Sequence, residues 1–250
     1  MHILITRPEA DADGLKARLE ALGHTVSLAP LLTIVFEEIA TDALSKVTAL
    51  VATSRNGLRA LATSQALATA TALPVFAVGP ATADLAHNLG FRDIVQGAGT
   101  AAGLVALIAA HPAARNGTVL HLAGNYLAYD LRAALSSHGI RLTTLPTYRS
   151  VAAEKLPGAV MAALAGGSVD AVILMSPRTA EIWAAHVKNL PVKADMTAVT
   201  YVCLSSAVAG ALRVDLSDRG QAPKIEVAAR PNAEEILALV RGLAAHSKAE

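Results

Sequence analysis

Short runs of apolar residues alternate with longer stretches in which apolar positions recur every three or four residues. The apolar runs predict strands near 2–6, 25–29, 48–53, 74–78, 93–96, 117–122, 140–145, 169–175, 198–204 and 224–228. Helices are predicted between most of them. Within Asp11–Leu22, for example, Leu15, Leu19 and Leu22 fall on one helical face. Strands such as "AVILM" at 171–175 and "VTYVCL" at 199–204 are apolar without alternation. Strands covered on both faces have that composition, so the pattern predicts an α/β architecture with parallel sheets.

The pattern repeats. "ILITRPEADADGLKARLEALGHTVSLAP" (3–30) aligns without a gap with "VLHLAGNYLAYDLRAALSSHGIRLTTLP" (119–146), at an offset of 116. Leu15 meets Leu131, Leu19 meets Leu135, Gly23 meets Gly139 and Pro30 meets Pro146. Further segments align at slowly growing offsets: 51–58 with 173–180, 78–86 with 204–212, and 99–108 with 231–240. One duplicated module with small loop insertions explains the drift, and two copies make two similar domains rather than a solenoid.

The ten strands can be divided into sequential halves, or the first β-α-β can join the C-terminal strands around an inserted domain. The repeated units end at "LLTIVFEE" (31–38) and "TYRSVA" (147–152), two segments that can pair side by side as linkers. This favours the second division. An outer domain then comprises 1–35 plus 151–250, and an inserted domain 36–150, with linkers near 31–38 and 147–152.

Composition narrows the function. Lys and Arg number 21 against 20 Asp and Glu, a net charge of +1, so no basic face for nucleic acid is expected. No apolar run is long enough for a membrane span, and "MHILITRPEA" lacks the flanks of a signal peptide. The lone Cys203 excludes an internal disulfide and fits a reducing cytoplasm. The eight histidines show no metal-ligand spacing. His121 falls inside a predicted strand, aligned with Ile5, and reads as a core histidine. "AVGPAT" falls short of a dinucleotide fingerprint.

Parallel α/β sheets bind ligands beyond the carboxyl ends of their strands. Those ends carry Thr6-Arg7-Pro8, Thr53-Ser54-Arg55-Asn56-Gly57, Gly79-Pro80-Ala81-Thr82, Leu122-Ala123-Gly124-Asn125, Ser176-Pro177-Arg178-Thr179 and Ser205-Ser206. Each set precedes a helix, where backbone N–H groups and hydroxyls attract anions. The same residue types also simply cap helices. Arg7 can take a carboxylate in a bidentate pair, or form a surface ion pair with Glu9 or Asp11. The expected binding residues are Arg7, Thr53, Ser54, Asn56, Gly79, Thr82, Asn125, Ser176 and Ser205.

Several of these pieces, in their order and spacing, resemble the uroporphyrinogen-III synthase family over nearly the whole chain. They are "ITRP" at the start, "TSRNGL" at 53–58, "FAVGPATA" at 76–83, "TYR" at 147–149 and "SPRTAEIW" at 176–183. The resemblance implies two flavodoxin-like or Rossmann-like three-layer domains joined by a two-stranded β linker. It implies a cyclising lyase that closes linear hydroxymethylbilane, inverts ring D, loses water and releases uroporphyrinogen III. No cofactor or metal is implied. The substrate would come from hydroxymethylbilane synthase, and a cytoplasmic monomer is expected. The alternative is a non-catalytic two-domain module that binds a polyanionic small molecule. Three departures stand out. Many relatives have Arg-Gly where this chain has Ala123-Gly124. Many have Gly-Pro-x-Thr-Ala where it has Ser205-Ser206-Ala207-Val208-Ala209. A tyrosine suggested as an acid in some relatives would fall near Ala162–Ala163. Tyr148 and Ser176 are the substitutes this sequence offers for a catalytic acid.

Overall fold

The computed structural model describes residues 1–190, 196–216 and 223–246. Along the chain run β1 (His2–Ile5), α1 (Asp13–Ala21), β2 (Thr25–Leu28), β3 (Leu32–Phe36), β4 (Val47–Ala52), α2 (Arg55–Ala62), α3 (Leu67–Ala70) and β5 (Val75–Ala77). There follow α4 (Pro80–Asn88), β6 (Ile94–Gln96), α5 (Ala101–Ala110), α6 (Pro112–Arg115), β7 (Thr118–Gly124), α7 (Leu131–Ser136) and β8 (Arg141–Ala152). The chain ends with α8 (Gly158–Ala165), β9 (Ala171–Leu174), α9 (Pro177–Lys188), β10 (Thr200–Cys203), α10 (Ser206–Leu216), β11 (Lys224–Val227) and α11 (Ala233–His246).

These elements divide into two compact units. One comprises Met1–Thr33 with Val151–Glu250, the other Ile34–Ser150. The first holds a sheet in the order β11-β10-β9-β1-β2, and every pairing in it is parallel. The second holds β3-β8-β7-β4-β5-β6, with β8 to β6 parallel throughout. If β7 and β8 are matched to β1 and β2, as the repeats require, the two strand orders coincide. Both are flavodoxin-like orders.

Side chains leave a strand on alternating sides, and both sides here are covered. In the first unit, Leu4, Val172, Leu174 and Cys203 pack with Val160, Trp183 and Leu212 from α8, α9 and α10. Ile3, Ile5, Ile173 and Val202 pack on the other face with Leu15 and Leu19 of α1 and Ile236 and Val240 of α11. In the second unit, Leu50, Ala52, Leu120 and Leu122 meet Leu58 and Leu61 of α2. Ala49, Val51, Phe76 and Val119 meet Leu104 and Ile108 of α5 and Leu131 and Leu135 of α7. Burial on both faces explains why the strands carry no polar alternation.

The repeated glycines have a conformational reason. Gly23 (φ 82°) and Gly139 (φ 72°) end α1 and α7 in the left-handed region, which side-chain-bearing residues avoid. Gly57 has a packing reason. A Cβ there would stand 2.6 Å from the carbonyl oxygen of Leu122, so α2 lies directly against β7.

β8 is longer than the sequence pattern suggests. A strand over 140–145 and a separate segment over 147–152 are expected, divided at Pro146. Instead one strand of 12 residues runs through. Proline cannot donate to the ladder, and the pairing with β7 shifts register there: Ala123 faces Pro146, but Gly124 faces Tyr148. The extra residue, Thr147, is buried and its hydroxyl donates to the Ala123 carbonyl (3.2 Å). Beyond this point β8 pairs with β3. The Glu37 N–H donates to the Thr147 carbonyl and the Ala153 N–H to the Leu31 carbonyl, each at 2.9 Å. One partner rises in number as the other falls, so this ladder is antiparallel.

Candidate functional site

In a doubly wound sheet, the strand order reverses at one point, and loops there diverge to leave a crevice at the carboxyl ends. In the second unit the reversal lies between β4 and β7. A cavity of about 430 Å³ opens at this place. Thr53 after β4, Val78 after β5, Gly99–Ala102 at the start of α5, His121 and Gly124 of β7, and Tyr148 of β8 all line it. The loop of Tyr126–Tyr129 forms the remaining wall. A second cavity, about 400 Å³, is lined by His121, Leu127 and Tyr129 together with Asp130–Arg132 and Thr144.

At the reversal point itself, the Thr53 hydroxyl and Nε2 of His121 are hydrogen-bonded at 2.8 Å. His121 is buried, and desolvation lowers its pKa to about 4. The imidazole is therefore neutral at neutral pH. It can orient the Thr53 hydroxyl without bringing charge to the cavity. Tyr148 packs against Gly124, where a Cβ would meet its ring at 2.6 Å. The glycine lets the ring lie close to β7.

The structure sorts the residues that the sequence singles out. Thr53 and Tyr148 share the cavity, and Gly79 lies at its edge, where a Cβ would come 3.3 Å from Gly99 Cα. Asn125 hydrogen-bonds along β8: its N–H donates to the Tyr148 carbonyl (3.2 Å), and its Oδ1 accepts from the Ser150 N–H (3.1 Å). Ser54 caps α2, accepting from the Asn56 N–H (3.2 Å). Asn56 is buried in the first turn and accepts from Arg59 (2.9 Å). Thr82 is buried in the first turn of α4.

In the first unit the reversal falls between β1 and β9. Arg7 follows β1 there and is half-buried, while Thr6 before it is buried and donates to the Ile173 carbonyl (2.7 Å). Ser176 follows β9 and forms a capping box. Its Oγ accepts from the Thr179 N–H (3.1 Å), and its own N–H donates to the Thr179 hydroxyl (3.1 Å). Ser205 follows β10 at the start of α10, its Oγ 3.5 Å from the Val208 nitrogen.

In the sequence His121 reads as a core histidine, and Tyr126 and Tyr129 belong to no motif. One signal was available: the chain has only four tyrosines, and three of them border this cavity. Among the described residues, no cluster of His, Cys, Asp and Glu is arranged to hold a metal, and no helix is long and apolar enough to cross a membrane.

Two flavodoxin-like units, one interrupting the other, with polar strand ends at each reversal point, define a two-domain doubly wound α/β protein. A family model described as uroporphyrinogen-III synthase HemD matches residues 13–237. The chain belongs to that family, whose members are cyclising lyases of tetrapyrrole biosynthesis. The fold is similar to that of uroporphyrinogen-III synthetase from Helicobacter pylori, at TM-score 0.65 and 18% identity over 97% of this chain and 99% of that one. It is also similar to a mutant uroporphyrinogen III synthase from the extremely thermophilic bacterium Thermus thermophilus, at TM-score 0.52 and 20% identity over 97% of this chain and 98% of that one. No curated protein sequence matches the chain significantly.

Proposed function

We propose that this chain closes hydroxymethylbilane to uroporphyrinogen III, with inversion of ring D and loss of water. The family match across residues 13–237 carries this reading. The chemistry of the second unit's cavity agrees with it. Loss of the terminal hydroxyl as water leaves an electrophilic azafulvene. Attack through a spiro intermediate then inverts ring D, whereas direct closure gives the type I isomer. The two routes differ in geometry, so the catalyst must hold the chain and exclude the wrong attack. Neutral hydroxyls, an uncharged imidazole and tyrosine rings are suited to that task. A strongly basic surface is not needed for the substrate's acetate and propionate groups, since hydroxyls and backbone N–H groups at helix starts can hold them.

Departure of the hydroxyl as water requires a proton. Tyr148 is the candidate donor we favour, because it lines the cavity, and one positioned acid contributes roughly 10²–10⁴-fold. Arg7, Ser176 and Ser205 are assigned to the peripheral carboxylates. Delivery of substrate by hydroxymethylbilane synthase, a cytoplasmic location and a monomeric state complete the proposal. The test supplies freshly made hydroxymethylbilane and resolves the oxidised porphyrins by isomer. Type III product is expected. Type I alone, formed at the spontaneous rate, rejects the activity and leaves a binding module.

A further inference from the structure

We infer that the loop between β7 and α7 forms an aromatic seat for one carboxylated pyrrole, with Tyr126 and Tyr129 as its wall and the Thr53–His121 pair as its floor. The inference rests on the substrate class proposed above and assigns a substrate-binding role to residues of this chain.

Aromatic residues make up only 3% of the chain, yet three of its four tyrosines border one cavity. Composition alone does not produce that concentration. The loop also exposes its apolar surface. Tyr126 is 74% accessible, Leu127 51% and Tyr129 38%. Such surface, at the mouth of a cavity with polar groups at its base, marks a place where a ligand replaces water. Leu127, Tyr129 and His121 also line the adjoining cavity, so the loop stands between two spaces of similar size. Each volume suits a ring with its side chains rather than a whole tetrapyrrole.

The chemistry matches a pyrrole. Its electron-rich flat face packs against tyrosine rings, edge-on or offset. Its N–H needs an acceptor once water is excluded. The Thr53 oxygen, hydrogen-bonded to the uncharged His121, keeps an acceptor lone pair for it at the floor whichever of the two donates. Tyrosine is also an economical wall, since it loses few rotamers when a ligand orders it.

Two double variants test the seat. Tyr126→Ala/Tyr129→Ala is expected to raise KM for hydroxymethylbilane about tenfold, the scale of one or two aromatic contacts. Its kcat should stay unchanged, because removal of uniform binding acts on KM alone, and any loss of stability should stay on the scale of a surface substitution. Tyr126→Phe/Tyr129→Phe keeps the rings and should keep the parental KM. Equilibrium titration with uroporphyrin III, a stable carboxylated tetrapyrrole, gives the same comparison without turnover. It therefore separates failure of the seat from failure of the activity. An alanine variant that matches the parent in affinity overturns the inference. So does a phenylalanine variant that loses as much as the alanine one.

Discussion

The ring of Tyr148 fills the space that a side chain at Gly124 would take. A methyl built on Gly124 stands 2.6 Å from Cε2 of the ring and 2.9 Å from its hydroxyl oxygen. Gly124→Ala must therefore push the ring into the cavity. Overpacking of this kind costs about 1–3 kcal/mol. The ring tip can move, so the larger effect should fall on turnover rather than on folding. In a Tyr148→Ala background the same substitution should cost much less, with a coupling of about 0.5–3 kcal/mol. Additive effects on kcat/KM across the four proteins would show that the two residues act separately.

Ser176 caps the first turn of α9 through both halves of its capping box. Ser176→Ala should lower stability by about 1 kcal/mol, as loss of a cap does. Its kcat should change far less than the roughly 10²–10⁴-fold expected for a lost acid. Ser176→Thr, which can keep both bonds, should restore the melting temperature. A kcat that collapses while stability holds would instead make the hydroxyl chemical.

His121 ties stability to pH. Burial lowers its pKa to about 4 from an ordinary 6.5. Between these values the unfolded chain holds a proton that the folded chain excludes. Its contribution is therefore fully present above pH 6.5 and is lost as pH falls toward 4. The slope is at most about 1.4 kcal/mol per pH unit, one proton's worth. His121→Gln can still bond Thr53 but does not titrate, so denaturant unfolding should show a flatter dependence across this window. Parallel curves for the two proteins would deny the imidazole this role.

Arg7 stands where the repeat places Ala123 in the other unit. If it holds a peripheral carboxylate, Arg7→Ala should raise KM about tenfold or more, the scale of a charge-assisted hydrogen bond. Turnover at saturation should be nearly preserved, because that carboxylate lies away from the reacting carbon. Steady-state kinetics on fresh substrate decide it: an unchanged KM removes Arg7 from the binding set.

Periodicity and repetition made the fold legible. Unbroken apolar strands marked sheets covered on both faces, and paired Gly23 and Gly139 marked equivalent helix ends. The site was legible only in part. His121 reads as core because a strand buried on both faces hides which position meets a cavity. Where the cavity opens depends on the reversal of strand order between β4 and β7, which no local pattern records. Ser54 and Ser176 look the same in sequence whether they cap or bind, since both roles use a hydroxyl beside free N–H groups. The strand expected near 140–145 and the linker expected near 147–152 form one strand, because a register shift of one residue carries it past Pro146.

The antiparallel ladder of β3 and β8 has an architectural consequence. Its hydrogen bonds set Thr33 opposite Val151, the last residue before the detour through the second unit and the first after it. Opposed residues in such a ladder are about 4.5–5.5 Å apart. Two residues of extended chain reach that far. The second unit is thus a cassette spliced in at a single doorway. A connector no longer than a hairpin turn could replace it without lengthening the path between the strands it interrupts.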